Sequence, residues 1–274
     1  MRHCAAKVSL VLDRQRARQK TEIPGAACDA QAKDPSVPTV CGDCPCPCWV
    51  MRLPPEERER VVPLVRQRPV RKGEVLQHEG RTATSLRSLR EGLVLRTRLG
   101  RDGQERPVAL GRRGEGMGML AYFSLPDQTS MRALGIGRVC EVSLEALQRL
   151  HADLPGLADA LVHETVQVIG TVAAWSQALH LRQVGLQLVS VLLLLHEGQG
   201  QAEVELPTQA ILAALLGASR ETVARALLIL EERAMVVRRD RRYVQLDVSL
   251  LRDHLSPALP DPEGEPAGPE RACA

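Results

Sequence analysis

The sequence predicts an α+β fold: an N-terminal antiparallel β-roll, a long helix suited to dimerisation and a C-terminal winged helix-turn-helix. Three observations predict it. Between about residues 70 and 142, short alternating runs are punctuated by glycines. From about 154 to 179 apolar residues recur in sevens, and no charge falls between Thr165 and Leu179. Beyond Thr208 two capped helical patterns meet at a glycine and run into a charged hairpin.

The elements follow in chain order. Residues 1–38 are charged and weakly patterned and end in "DPSVP", which reads as a disordered arm. Residues 39–152 hold the cysteine run "CGDCPCPCWV", a helix start at Pro54 and Pro55 with Glu56 and Glu57 in its first turn, and the roll. Within the roll, "GLVLRTRLGRDGQERPVAL" spells a strand, a Gly/Asp turn and a returning strand. Ser143 is placed to cap a short helix after it. Residues 153–181 form the dimerisation helix. Its heptad seam reads Leu154, Leu161, Val168 and Trp175, with Val172 and Leu179 among the complementary positions. Residues 182–255 form the winged helix-turn-helix. Residues 256–274, rich in Pro, Glu and Gly, read as a disordered tail.

Composition narrows the class. The chain has 274 residues, enough for two cores, and a net charge of only +3. Five aromatic residues argue against a surface that stacks bases. No signal peptide is visible, and the longest largely apolar run, 189–195, is far too short to span a bilayer, so a cytoplasmic protein with no membrane contact is expected. There cysteines stay reduced, and four of the eight crowd into residues 41–48. Cys44, Cys46 and Cys48 alternate with prolines and are badly placed to bridge one another, so a metal centre is favoured over disulfides. No catalytic acid–base pair, Gly-rich phosphate loop or second cluster motif is visible, so no enzyme is expected.

The C-terminal pattern points to DNA. Thr208 caps one helix, Gly217 supplies the turn, and Ser219 caps the next. One face of that second helix is apolar; the other offers Arg220, Glu221 and Arg225. Arginine can donate twice to guanine, and glutamate can accept from cytosine, in the major groove. The hairpin tip adds Arg238, Arg239, Arg241 and Arg242, of which Arg239 and Arg241 are the leading candidates for holding phosphate.

These residues resemble the cyclic-AMP receptor and fumarate-nitrate-reduction regulator (CRP/FNR) family across about residues 41–251. "GASRETVARALLILEERAMV" is similar to its recognition-helix signature. "RKGEVLQHEG", "LREGLVL" and "GRVCEVSLEALQRL" are similar to its β-roll. The resemblance implies a cyclic-nucleotide-binding-like roll (a double-stranded β-helix) and a homodimer on a palindromic operator, with RNA polymerase as a further partner. The family's nucleotide branch uses a glutamate and an Arg-Ser pair around the cyclic phosphate. Here Met119 and Ser130-Met131 stand in those places, and Arg132 lies off the pattern.

The family's iron–sulfur branch has three N-terminal cysteines and a fourth in the roll. Cys41 and Cys44 match its first pair and Cys140 its fourth ligand. Cys48 stands for the third with two residues missing before it, and Cys46 is a substitute. The resemblance therefore implies a 4Fe-4S cluster on Cys41, Cys44, Cys48 and Cys140, sensing oxygen, redox state or nitric oxide. Four thiolates would also hold tetrahedral zinc, and a cluster-free or zinc-stapled regulator answering another ligand is the alternative. The family's oxygen sensor carries a charge in the dimer helix that weakens the apo dimer. "TVQVIGTVAAW" has none, so the apo protein is expected to stay dimeric.

Overall fold

A computed structural model describes residues 46–150, 153–201 and 203–256. The arm at 1–38, Cys41, Cys44 and the tail beyond Ser256 lie outside the described residues.

Two four-stranded antiparallel sheets form the roll. One has the order β1 (Arg66–Val70), β8 (Gly137–Ser143), β3 (Ser85–Glu91), β6 (Gly116–Met117); the other β2 (Val75–Gln77), β7 (Ser130–Ala133), β4 (Val94–Leu99), β5 (Glu105–Gly111). The β4–β5 hairpin turns at Gly103, whose φ of +75° suits glycine, with Arg106 paired to Asp102. Strand alternation divides the first sheet's residues. Leu89 and Val139 point into the roll with Val70, Leu76, Val94, Met117, Met131 and Ala133. Leu86 and Val142 point outward into a second core.

That outer core is built by what flanks the roll. It holds Trp49, Val50 and Leu53 from a 3₁₀ turn (Trp49–Arg52) and its sequel, Val61 of α1 (Pro55–Val61), and Leu147 of α2 (Leu144–Arg149). Leu154 and the start of α3 (Leu157–Leu179) close it. Ser143 occupies the N-cap of α2, but its side chain makes no capping bond. The long helix begins at Leu157 because Pro155 and Gly156 interrupt the pattern before it.

The C-terminal domain contains α4 (Val184–Gln199), β9 (Glu203–Glu205), α5 (Gln209–Leu216), α6 (Arg220–Glu232), the hairpin β10 (Val236–Arg238)–β11 (Tyr243–Leu246) and α7 (Val248–Leu255), with sheet order β10-β11-β9. Its core takes in Leu188, Leu192, Leu212, Val223, Leu227 and Val244, and continues into Leu93, Ala109 and Leu110 of the roll. A backbone bond from Arg113 N–H to Gly198 O (3.0 Å) also joins the two domains. Among the described residues no helix is long and apolar enough to cross a membrane.

Candidate functional site

The helix-turn-helix is assembled by local chemistry. Thr208 Oγ1 accepts the N–H of Ile211 at the start of α5, and Ser219 Oγ accepts the N–H of Thr222 at the start of α6. Gly217 ends α5 with φ +60°. Val223, Leu227 and Leu230 bury one face of α6, leaving Arg220, Glu221 and Arg225 exposed on the other. Glu221 and Arg225 pair with each other one turn apart, while Arg220 makes no ion pair among the described residues.

The wing divides its arginines. Arg238 is bonded to Glu231 at 2.7 Å, and Arg242 pairs with Glu205 beside Gly135 of the roll. Arg242, one of the four tip arginines, is thus engaged by the chain's own carboxylate, although its side chain remains exposed. Arg239 bonds Gln245 and lies 3.9 Å from Glu203. Arg241 is exposed with no ion pair among the described residues. Asp240 accepts the N–H of Arg242 and of Tyr243, which fixes the tip.

The roll interior answers the question posed by its phosphate segment. Arg96 on β4 is buried and paired with the buried Glu115, and it donates to Thr129 Oγ1 at 2.6 Å. Gln77 on β2 donates to Thr129 O (2.8 Å) and accepts the N–H of Gly118 (3.0 Å). That N–H opens the 3₁₀ turn Met119–Phe123, which begins with the residue standing in place of the glutamate. Met119 is buried in the outer core. Arg132 faces outward, bonded to Gly73 O. Asp127 is buried beside these groups, and burial pushes its carboxyl up to about 6 while the charges of Arg96 and Arg87 oppose the rise. Gly118 N–H and Thr129 are therefore already engaged by the chain's own side chains. Neither Arg96 nor Glu115 was visible in the sequence as a site residue, since a β4 side chain meets one from the loop before β6 across 19 positions.

The cysteines lie on the other side of the same wall. Cys140 on β8 is opposite Gln67 of β1 and Ser88 of β3. It shares the outward parity of Leu86, Ser88 and Val142, so it faces the side on which residues 46–53 pack. Cys46 and Cys48 are buried there; Cys46 Sγ donates to Leu89 O at 3.7 Å, and Pro47 rests on Gly114. Ser88 Oγ, beside Cys140 in register, is buried without a hydrogen-bond partner. Cys41 and Cys44 lie outside the described residues, and among those described no three Cys, His, Asp or Glu side chains converge as a metal set.

The long helix divides the seam read from the sequence. Leu154, Leu161 and Trp175 are buried in the chain's own cores, and Val168, Val172 and Leu179 are half-buried. An exposed apolar stripe runs beside it through Val162, Val166, Ile169 and Ala173, spaced 4, 3 and 4 apart; Ile169 is 63% exposed. Both faces of this helix are apolar, so spacing alone does not choose between them. Glu164, in the same helix, is a buried carboxylate that the sequence reading missed.

Residues 67–153 match the cyclic nucleotide-binding domain family, and residues 187–254 match the Crp-like helix-turn-helix domain. No curated protein sequence matches the chain. Among solved structures the chain is similar to FixK2 from Bradyrhizobium japonicum, with TM-score 0.59, 19% identity, and coverage of 69% of this chain and 96% of that one. It is also similar to a CRP-family transcriptional regulator from Thermus thermophilus (TM-score 0.56, 20% identity, 70% and 98%). The c-di-GMP responsive regulator CLP of Xanthomonas campestris gives TM-score 0.53 at 21% identity, covering 70% and 98%. A cyclic-nucleotide-type roll joined through one long helix to a Crp-like helix-turn-helix makes this chain a member of the CRP/FNR family, a DNA-binding transcription regulator and not an enzyme.

Proposed function

We propose that this regulator senses oxygen, redox state or nitric oxide through a 4Fe-4S cluster held by Cys41, Cys44, Cys48 and Cys140, with Cys46 as the substitute third ligand. The observation that carries the reading is the side of the wall on which Cys140 lies: it faces out of the roll, toward the buried Cys46 and Cys48. The donor chemistry fits, since buried thiols on one sheet face suit iron, and the unpartnered Ser88 Oγ beside Cys140 offers a donor to sulfur. When bound, such a cluster supplies a centre that oxidants convert or strip.

The chain's own residues do the rest. Residues 46–53 tie the cysteine run to the start of α3, and α3 presents Val162, Val166, Ile169 and Ala173 to a second copy. The homodimer then sets two α6 helices on palindromic half-sites, read by Arg220, Glu221 and Arg225 and anchored by Arg239 and Arg241, with Thr208 and Ser219 at the helix starts. The absence of charge from Thr165 to Leu179 favours a dimer that persists without the cluster. We place the protein in the cytoplasm, acting with RNA polymerase. Cyclic nucleotides are disfavoured because Gln77 and Arg96 already satisfy the phosphate segment.

Anaerobic purification followed by iron, sulfide and zinc analysis tests the reading. Iron and acid-labile sulfide in equal amounts, with visible absorbance lost in air and in Cys140→Ser, are expected. Zinc in their place gives the stapled regulator, and absence of both overturns any metal role.

A further inference from the structure

We infer that the segment following the cysteine run is a detachable cap on the dimer helix, with Glu57, Arg52 and Glu164 as its positioning residues. Two sets of contacts carry this. The first is at the start of α3. Its N-cap residue is Gly156, which has no side chain to satisfy the helix's open N–H groups. Glu57 of α1 does so from outside: both its carboxylate oxygens accept the Gly156 N–H, at 3.0 and 3.1 Å, and the side chain is buried. A carboxylate there also meets the positive end of a 23-residue helix. Glycine at 156 lets the carboxylate come close, since a Cβ would sit 3.0 Å from Glu57 Oε1 and 3.1 Å from Pro54 Cδ and would push them back by a few tenths of an ångström.

The second set lies two turns further on. Glu164 is 1% exposed; one oxygen accepts the N–H of Gly116 in β6 at 2.9 Å. The other has no hydrogen-bond partner and lies 3.9 Å from Arg52 Nε. Burial pushes this carboxyl upward, against the Gly116 N–H and the charges of Arg112 and Arg52. Between the two points, Trp49, Val50 and Leu53 share a core with Leu157, Ala160 and Leu161.

Residues 46–57 therefore cannot leave without uncapping α3, stranding a buried carboxylate and exposing Trp49. The open stripe begins at Val162, immediately beyond the capped turns. Coupling of this kind is reciprocal: whatever fixes the cysteine segment steadies the start of α3, and a partner on α3 steadies the cysteine segment by the same factor. The signal that the cap transmits rests on the cluster reading; the cap itself does not.

Hydrogen–deuterium exchange on the full chain, with iodoacetamide labelling of Cys46 and Cys48 in metal-free protein, tests the cap. In Glu57→Gln, exchange at 157–162 and at 49–53 should accelerate together by roughly 3- to 30-fold, as expected for loss of a charged cap. Thiol labelling should rise in step, with β3 and β4 unchanged. Gly156→Ala should do the same from the opposite side. Glu164→Gln, which keeps an acceptor for Gly116 but removes the charge facing Arg52, should speed exchange at 49–53 and at 157–162 together, by less than Glu57→Gln does. Acceleration at 157–162 with 49–53 and the thiols unmoved, or no response at either, overturns the cap. Coupled exchange in a protein that binds no iron leaves the cap standing and removes the cluster; iron without coupled exchange does the reverse.

Discussion

The roll and the helix-turn-helix use charge in opposite ways. In the roll, Arg96 and Glu115 neutralise each other out of water, Gln77 and Thr129 complete the network, and Asp127 is buried beside it. In the DNA-binding domain, Arg220 and Arg241 stand exposed with no ion pair among the described residues, and the Glu221–Arg225 pair lies in solvent. A buried pair is committed, because separating it strands a charge in low dielectric. An exposed arginine is available, because water held it before phosphate or guanine does. The same residue type is structural wall in one region and an exposed, available charge in the other, and burial is what separates the two.

The largest break in this comparison comes from Arg96→Leu. It leaves Glu115 buried and unpaired and should cost about 3–5 kcal/mol, read by chemical denaturation. A loss under about 1 kcal/mol would mean that the interior is wetter than its burial indicates. Next is Ile169→Glu on the open stripe, which places a carboxylate where a second copy should pack. Sedimentation at micromolar concentration should show a monomer of unchanged fold, at a cost of about 3 kcal/mol of association. A persistent dimer would move the interface elsewhere.

Asp127 sharpens the contrast through pH. Its folded-state value of about 6 lies above the ordinary 3.8, so its neutral form is favoured on folding. That contribution is complete below about 4 and is lost as pH rises through about 6. Asp127→Asn should therefore abolish this loss and be more stable than the parent at pH 7 by about 2–3 kcal/mol, in paired denaturation series from pH 4 to 7. Equal pH profiles would refute it. Arg220→Ala should relax preference at one base pair of the half-site by about 1–3 kcal/mol while leaving folding intact. Uniform weakening across sequences would make Arg220 a phosphate contact. Smallest is Ser219→Ala, expected to cost about 1 kcal/mol of stability by removing the cap on α6, in thermal unfolding.

Legibility followed the distance between partners. Thr208 and Ser219 bond N–H groups three residues on, so the sequence around them contains the whole interaction. The same is true of the β4–β5 turn and of the apolar face of α6. Glu57 meets Gly156 across 99 positions and Glu164 meets Gly116 across 48, and no local pattern announces either. Cys140 was singled out only through a family resemblance; its spacing alone reads as a small strand residue.

The order roll, long helix, helix-turn-helix and the exposed face of α6 were determined by the sequence itself, because capping, turn geometry and strand alternation act within a few residues. Which face of α3 is open, which wing arginines are already paired, and where buried carboxylates find their N–H groups were decided only by tertiary structure. Those outcomes depend on which surfaces remain after every element has packed, and burial is a property of the assembled chain that no short window of it contains.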